Sequence, residues 1–508
     1  MSSSAESAVR EAVEFLIQFV ENPLPFLVYQ WEQHPYHIVI EVAFCVAFVY
    51  FYFIPLHRAK ASRIETMTSK EEDMMLQEFV SAPFKANRPD SNAPVAGPFG
   101  GAEVMPNVQI LGRSGVKATI RGPKGSPLSC LDLATFDYHS LSTAPEIRET
   151  AKHLVVTYGV GSCGPRGFYG TVKPHLDLES HIAAFLGVDA CIIYSFSFAT
   201  VSTLIPCYSS RGDYIVVDSG VCLPIQEGCH LSRSNVSYAR HNDLFHMEEL
   251  MSTIQRSDDK KKKISRRFLV TEGVFRNSGD ICQLREILEL CNKYKFRLIL
   301  EDSYGFGVLG ATGRGTPEHF QIPTSLIDFY IGSMATSLGT VGGFCAGSAT
   351  MVDHQRLAAT GYVFSASLPP YMTGSASKAL EMIQANPNLV GDVQRNAKAF
   401  RAELRTVGLP ANLKMIDSTD DVSPLVHIRV ECSYIREVGK QRVEEQLARV
   451  VESLQTKSIL VLRHLYTAEE RVENWPSLRV VIKSGLTPAQ VGITARTIIA
   501  VLRVEFRQ

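Results

Sequence analysis

The sequence predicts an α/β protein whose main lobe is built on a largely parallel sheet, followed by a smaller C-terminal α+β lobe. Two observations carry this. Short unbroken apolar runs, Cys191–Tyr194, Tyr214–Val217, Phe268–Val270, Leu298–Leu300 and Phe329–Ile331, recur through the middle of the chain. Strands buried on both faces read this way, and alternation with helical stretches is the mark of parallel crossovers. Among those stretches, Leu284–Tyr294 has the clearest helical period. After Pro369-Pro370 the pattern changes to long helices with few strand candidates, Leu425–Val430 and Leu478–Ile482.

A chain of 508 residues, 45% hydrophobic and 20% charged, can bury a large core and exceeds one ordinary domain. The expected division is an N-terminal arm at 1–36, a transmembrane helix at 37–57, a connector at 58–125, the large lobe at 126–368 and the small lobe at 369–508. A formal net charge of -1 gives no electrostatic pull toward nucleic acid. Eleven cysteines, odd in number and never spaced C-x-x-C, point to free thiols in a reducing compartment and to no metal site.

The anchor is read from Ile38 to Leu56, apolar and aromatic but for Glu41. At ~1.5 Å per residue the run covers about 28 Å, enough to span a bilayer. Arg58, Lys60, Arg63 and Lys70 follow it while only Arg10 precedes it, so the positive-inside bias places the bulk of the chain in the cytosol and the short arm in the lumen. A buried soluble helix is the alternative. In the arm, Val9, Ala12, Val13, Leu16, Ile17 and Val20 form one face of an amphipathic helix that suits a membrane surface, a partner or the chain's own core.

From about Ser81 to Gly125, proline and glycine are frequent and periodicity is poor, which reads as a connector. The basic insert Lys260–Lys263 with Arg266 and Arg267 adjoins Asp258 and Asp259 and reads as a solvated loop.

The segment from Tyr158 to Thr171, Tyr-Gly-Val-Gly-Ser-Cys-Gly-Pro-Arg-Gly-Phe-Tyr-Gly-Thr, followed by His175 and Glu179, resembles the α-oxoamine synthases, and Cys163–Gly170 looks particularly like serine palmitoyltransferase. Further blocks follow in the family's order: Ile193–Ala199, Phe268–Gly273, Leu300–Gly310 with Gly313-Arg-Gly315, Gly342-Gly-Phe344, and Phe364–Pro370. The resemblance covers about 350 residues and implies a fold-type I pyridoxal-phosphate transferase: a large domain on a mostly parallel seven-stranded sheet and a smaller C-terminal domain, here behind a membrane anchor.

Such chemistry needs a lysine amine for the Schiff base, an acid holding the pyridine nitrogen protonated, and donors for the phosphate. In active relatives the lysine lies a few residues before the Gly-Gly that here is Gly342-Gly343, which places Thr336 where it belongs. No lysine occurs between Lys295 and Lys378. By the same resemblance Glu301 replaces the ring-nitrogen aspartate and Tyr304 the histidine of an Asp-Glu-Ala-His block, Ser197 and Thr200 replace Gly and Asn in the phosphate cradle, and Asp137-Tyr-His-Ser140 departs from Asn-Tyr-Leu-Gly.

The family's dimers place their active sites at the subunit interface. The resemblance therefore implies a heterodimer with a lysine-bearing serine palmitoyltransferase subunit that holds the pyridoxal phosphate and uses L-serine and palmitoyl-CoA. It also implies small activating and Orm-type regulatory partners and the endoplasmic-reticulum membrane. Tyr158, Cys163, Arg166, Ser365 and Ser367 are the candidates to reach the partner's cofactor site, with packing an equal alternative for Cys163. Arg479, and similarly Arg314, is either a remnant of a substrate-carboxylate site or a structural ion pair. Two readings compete with the silent subunit: an independent acyltransferase using an unusual lysine, and a membrane scaffold for regulators.

Overall fold

A computed structural model of the chain describes residues 108–507 apart from 123–124, 262–264, 419, 466–469 and 471–474, together with 17, 28, 31, 36, 40, 42–44 and 46–51. The chain divides into two units, Met1–Ala93 and Pro94–Gln508.

In the first unit, 40, 42–44 and 46–51 are helical, with Val42, Phe44, Val46, Phe48 and Phe51 exposed. Most of the amphipathic arm at 1–36 and of the span at 37–57 lies outside the described residues. Among the described residues no helix is long and apolar enough to cross a membrane.

The second unit opens with three short strands, β1 (Ile110–Ser114), β2 (Lys117–Arg121) and β3 (Pro127–Asp132). β1 and β2 fall inside the stretch up to 125 read as a connector, and give it regular structure. Pro and Gly flank the hairpin, but Lys117–Arg121 alternates buried and exposed positions, the pattern of a half-buried strand.

The main sheet contains β4 (Ala190–Tyr194), β5 (Tyr214–Asp218), β6 (Asn235–Ala239), β7 (Arg267–Glu272), β8 (Arg297–Glu301), β9 (Phe329–Ser333) and β10 (Gly343–Gly347), in the order β4-β10-β9-β8-β7-β5-β6. β6, β5, β7, β8 and β9 are parallel neighbours, and only β10 runs against β9 and β4. The sheet is thus the largely parallel seven-stranded one expected, with Val216, Leu269, Leu298 and Phe329 in its core at 0% exposure. Each such side chain contributes about 1.5–3 kcal/mol of burial. The helix Leu284–Tyr294 occupies the stretch read for it and turns Leu284, Ile287 and Cys291 inward.

The smaller lobe is an antiparallel sheet of β11 (Leu413–Met415), β12 (Leu425–Val430), β14 (Leu462–Arg463) and β15 (Ser477–Val481), in the order β11-β12-β15-β14. Helices Asn388–Val407, Lys440–Thr456 and Pro488–Glu505 supply Phe400, Leu404, Leu447, Val450, Ile498 and Leu502 to its core. A capping box between Thr487 and Gln490 fixes where the last helix begins.

Both lobe boundaries differ from those read in the sequence. β3 pairs in parallel with β13 (Ile459–Leu460), and Lys483 reaches Asp132 at 2.8 Å between two buried side chains, so the stretch through β3 belongs with the C-terminal lobe. Conversely, helix Pro370–Ala385 places Ala376, Ala379, Leu380 and Ile383 in the main core, so the large lobe extends past 368.

Candidate functional site

Ligands of parallel α/β sheets gather beyond the carboxyl ends of the strands. Here β5, β7, β8 and β9 end at Asp218, Glu272, Glu301 and Ser333. Glu272 and Glu301 are register partners on adjacent strands, and both are buried. The Arg276 N–H donates to Glu272 Oε2 at 2.9 Å, and the Cys222 N–H donates to Oε1. Glu301 Oε1 accepts from the Ser303 amide and hydroxyl, while Oε2 has no partner.

Burial, reinforced by the neighbouring Glu272, pushes Glu301 up to about 8; burial likewise lifts Glu272, to about 7, against the amides that hold its charge. Two carboxyls so close cannot both ionise in a dry site. The amides hold Glu272 toward its charged form, and burial beside it holds Glu301 toward its neutral form. The Cys222 sulfur lies within 4.8 Å of an oxygen of each, and its thiol is raised by burial and then by Glu272. Neither Glu272 nor Cys222 was foreseen as part of this centre. The only signal available was an acid ending an apolar strand.

Thr336 follows β9 and is 5% exposed. Its hydroxyl lies 2.8 Å from the Ser303 carbonyl and 3.2 Å from that of Ser333, so its single proton is committed to the backbone. Tyr304 packs edge-on against Phe136 at 5.0 Å, its hydroxyl raised by burial. At the opening of helix Ser197–Tyr208, the Ser197 hydroxyl bonds Ser333 Oγ at 2.7 Å and the Gly342 carbonyl at 2.8 Å. Asp302 is turned away, its oxygens taken by Thr316 and Tyr330.

These side chains are a poor fit to a covalently held pyridoxal phosphate: Thr336 offers a hydroxyl and no amine, burial pushes the Glu301 carboxyl toward its neutral form, and the Ser197 and Ser333 hydroxyls bond one another at the opening of the helix.

The glycine-rich segment separates the remaining candidates into two groups. Tyr158 ends helix Pro145–Tyr158 and is half-buried, Cys163 is exposed with φ 59, and Ser365 is half-buried with its hydroxyl on the neighbouring Ala366 carbonyl. Arg166 and Ser367 face inward. Arg166 forms a bidentate pair with Glu179 at 2.9 and 3.2 Å, backed by Arg356 at 3.3 Å, and its guanidinium covers the Tyr362 ring. Ser367 is spent on backbone carbonyls of the segment itself.

Arg479 lies in a buried position over the Phe136 ring at 4.6 Å, with Nη2 3.5 Å from the Ala134 carbonyl and Nε without a partner. Burial depresses it to about 10. No acid pairs with it among the described residues, so the ion-pair alternative is not the arrangement found. Arg314 does have one, Glu318 at 3.5 Å.

A seven-stranded, mostly parallel sheet with one reversed strand and polar side chains gathered beyond its carboxyl ends is the architecture of the pyridoxal-phosphate-dependent aminotransferase fold. The chain matches the aminotransferase class I and II family over residues 129–498. A serine palmitoyltransferase from S. paucimobilis with PLP and myriocin bound shares this fold, with a TM-score of 0.69 and 23% identity, over 78% of this chain and 92% of that one. Closer relatives narrow the family. Serine palmitoyltransferase 1 of Dictyostelium discoideum is 37% identical over 87% of this chain and 88% of its own length. Long chain base biosynthesis protein 1 of Arabidopsis thaliana is 42% identical over 60% of this chain and 62% of its own. The chain belongs to the serine palmitoyltransferase family of long-chain-base biosynthesis.

Proposed function

We propose that this chain is a catalytically silent subunit of serine palmitoyltransferase, working only beside a lysine-bearing partner that holds the pyridoxal phosphate. The complex condenses L-serine with palmitoyl-CoA to 3-ketodihydrosphingosine, releasing carbon dioxide and CoA. The observation that carries this is Thr336: where the resemblance expects the Schiff-base lysine there is a hydroxyl bound to two carbonyls, and no lysine lies between Lys295 and Lys378. The upward push that burial gives the Glu301 carboxyl supports it, since an acid held toward its neutral form is a poor partner for a charged pyridine nitrogen.

A second support is the surface. Phe168, Tyr169, Phe196 and Phe364 are 61–85% exposed on segments joined through the Pro165–Ala366 bridge and the Ser195–Ala366 hydrogen bond, so exposed aromatics cluster on neighbouring segments. Such a cluster suits a permanent partner. Tyr158, Cys163 and Ser365 are the side chains offered outward to the partner's cofactor site, while Arg166 and Ser367 shape the segment from behind. The apolar run at 38–56 anchors the complex in the endoplasmic-reticulum membrane with the lobes in the cytosol, where small activating and Orm-type subunits join it.

The test is to purify the chain alone and with its lysine-bearing partner, then compare pyridoxal-phosphate absorbance and serine-dependent CoA release. Cofactor and turnover are expected only in the pair. Turnover by the single chain would establish an independent acyltransferase, and undiminished turnover by the partner alone would reduce this chain to a scaffold.

A further inference from the structure

The glycine-rich segment places four glycines, Gly161, Gly164, Gly167 and Gly170, within ten residues. Such a stretch loses much conformational entropy on adopting one shape and needs something to hold it. We infer that Ser367 is a positioning residue, whose hydroxyl clasps this segment into the shape it presents to the lysine-bearing partner. The inference rests on the silent-subunit reading and adds a residue-level device to it.

Ser367 is 6% exposed. Its Oγ lies 2.7 Å from the Gly164 carbonyl and 2.5 Å from the Gly170 carbonyl, and its N–H donates to Gly164 O at 3.0 Å. The strip around it is held in turn: Ser162 donates to the Ser367 carbonyl at 2.9 Å, Ser195 to that of Ala366 at 2.5 Å, and His175 Nε2 lies 2.7 Å from that of Leu368. Inside the loop, the Phe168 and Gly170 amides both donate to Pro165 O, at 3.1 and 3.0 Å. The closure leaves no slack: a Cβ on Gly170 would lie 1.8 Å from the Gly164 carbonyl and 2.3 Å from Ser367 Oγ.

The two sides of the loop differ. Behind it every one of these groups is bonded, while in front Phe168 and Tyr169 stand 65% and 85% exposed. A loop bonded on its inner side and bare on its outer side is preorganised for a surface that fits it. Without the Ser367 hydroxyl, the Gly164 carbonyl keeps the Ser367 amide but the Gly170 carbonyl loses this donor, so the outer tip loosens first. Displacements near 1 Å at an active site cost up to about a hundredfold in rate, so a loosened tip is felt in the partner's turnover more than in assembly.

The test is made on the co-expressed complex with Ser367→Ala, and with Ser375→Ala as control. Ser375 is a buried serine in the next helix, bonded only to the Tyr371 carbonyl. The expected result is normal recovery of the complex, amide exchange over 161–170 faster by about tenfold, the equivalent of one hydrogen bond, and kcat lower by about tenfold with serine KM within about twofold. The control should leave all three unchanged. Unaltered exchange, wild-type kcat despite faster exchange, or an equal loss in the control would each overturn the inference. Should Ser367→Ala fail to fold, Ser162→Ala removes the neighbouring bond from a half-buried site and reads the same clasp. If the wild-type chain gives its partner no turnover, the subunit reading fails, and normal exchange behaviour in the same samples separates that failure from one of the clasp.

Discussion

At the scale of single residues, the silent-subunit reading proposed above rests on several side chains, each held in an arrangement of its own. Thr336 is satisfied by the Ser303 and Ser333 carbonyls, so returning the amine does not return the site. Thr336→Lys adds two carbons and a cation to a position 5% exposed. It is expected to cost about 1–3 kcal/mol in overpacking and to yield no borohydride-trappable cofactor in the isolated chain, because Glu301, Ser197 and Ser333 keep their present arrangement around it. A trapped adduct would show that lysine was the only part missing. Glu301 gives a sharper case. Its carboxyl is raised to about 8, so the stability it contributes is whole below its unfolded value and drains away as pH climbs through 8. Glu301→Gln mimics the neutral acid and does not titrate. The variant should melt close to wild type at pH 5 and progressively above it toward pH 9; a gap that stays constant with pH means that Glu301 is ionised throughout.

At the scale of elements, His241 joins the end of β5 to the loop beyond β7. Its Nδ1 meets Asp218 at 2.8 Å and its Nε2 meets Asp280 at 3.1 Å. Burial alone would depress the imidazole, but the hydrogen bonds and charges of the two carboxylates outweigh it and lift His241 to about 10. The sign follows: this stabilisation is complete below the ordinary histidine value near 6.5, declines above it and is gone once pH passes about 10. In denaturant titrations, the gap between wild type and His241→Gln should be widest at pH 6 and close by pH 10.5. A gap independent of pH would mean an uncharged imidazole. The elements also show what sequence makes visible. Leu284–Tyr294 and the apolar runs of β4, β5, β7, β8 and β9 were legible because burial on one or two faces leaves a period. β6, Asn-Val-Ser-Tyr-Ala, lies at the sheet edge with mixed polarity, and β10, Gly-Phe-Cys-Ala-Gly, has glycines at both ends, so neither carries that imprint. The Glu272–Glu301 pair was invisible for a different reason: only the strand register brings two acids 29 positions apart side by side.

At the scale of the whole molecule, topology overrides chain order. Residues 110–132 join the C-terminal lobe through β13 and the Lys483–Asp132 pair, a pairing across more than 300 residues that no local pattern announces. The same long-range closure brings 158–170 against 364–368 and builds the exposed apolar face. Phe168 and Tyr169 stand at its tip without supporting the core, so Phe168→Asp with Tyr169→Asp should leave the melting temperature of the isolated chain nearly unchanged, within about 0.5 kcal/mol per surface site. If the proposed partner covers this face, the two aromatics become buried, and aromatic anchors of that kind are commonly worth about 2 kcal/mol or more each. Placing two carboxylates there should weaken capture of the lysine-bearing partner by on the order of a hundredfold or more, read by titrating immobilised partner with wild-type and double-variant chain. Equal affinity of the two chains would mean that the partner covers another face, and the glycine-rich segment would then need a different explanation for its bonded back and bare front.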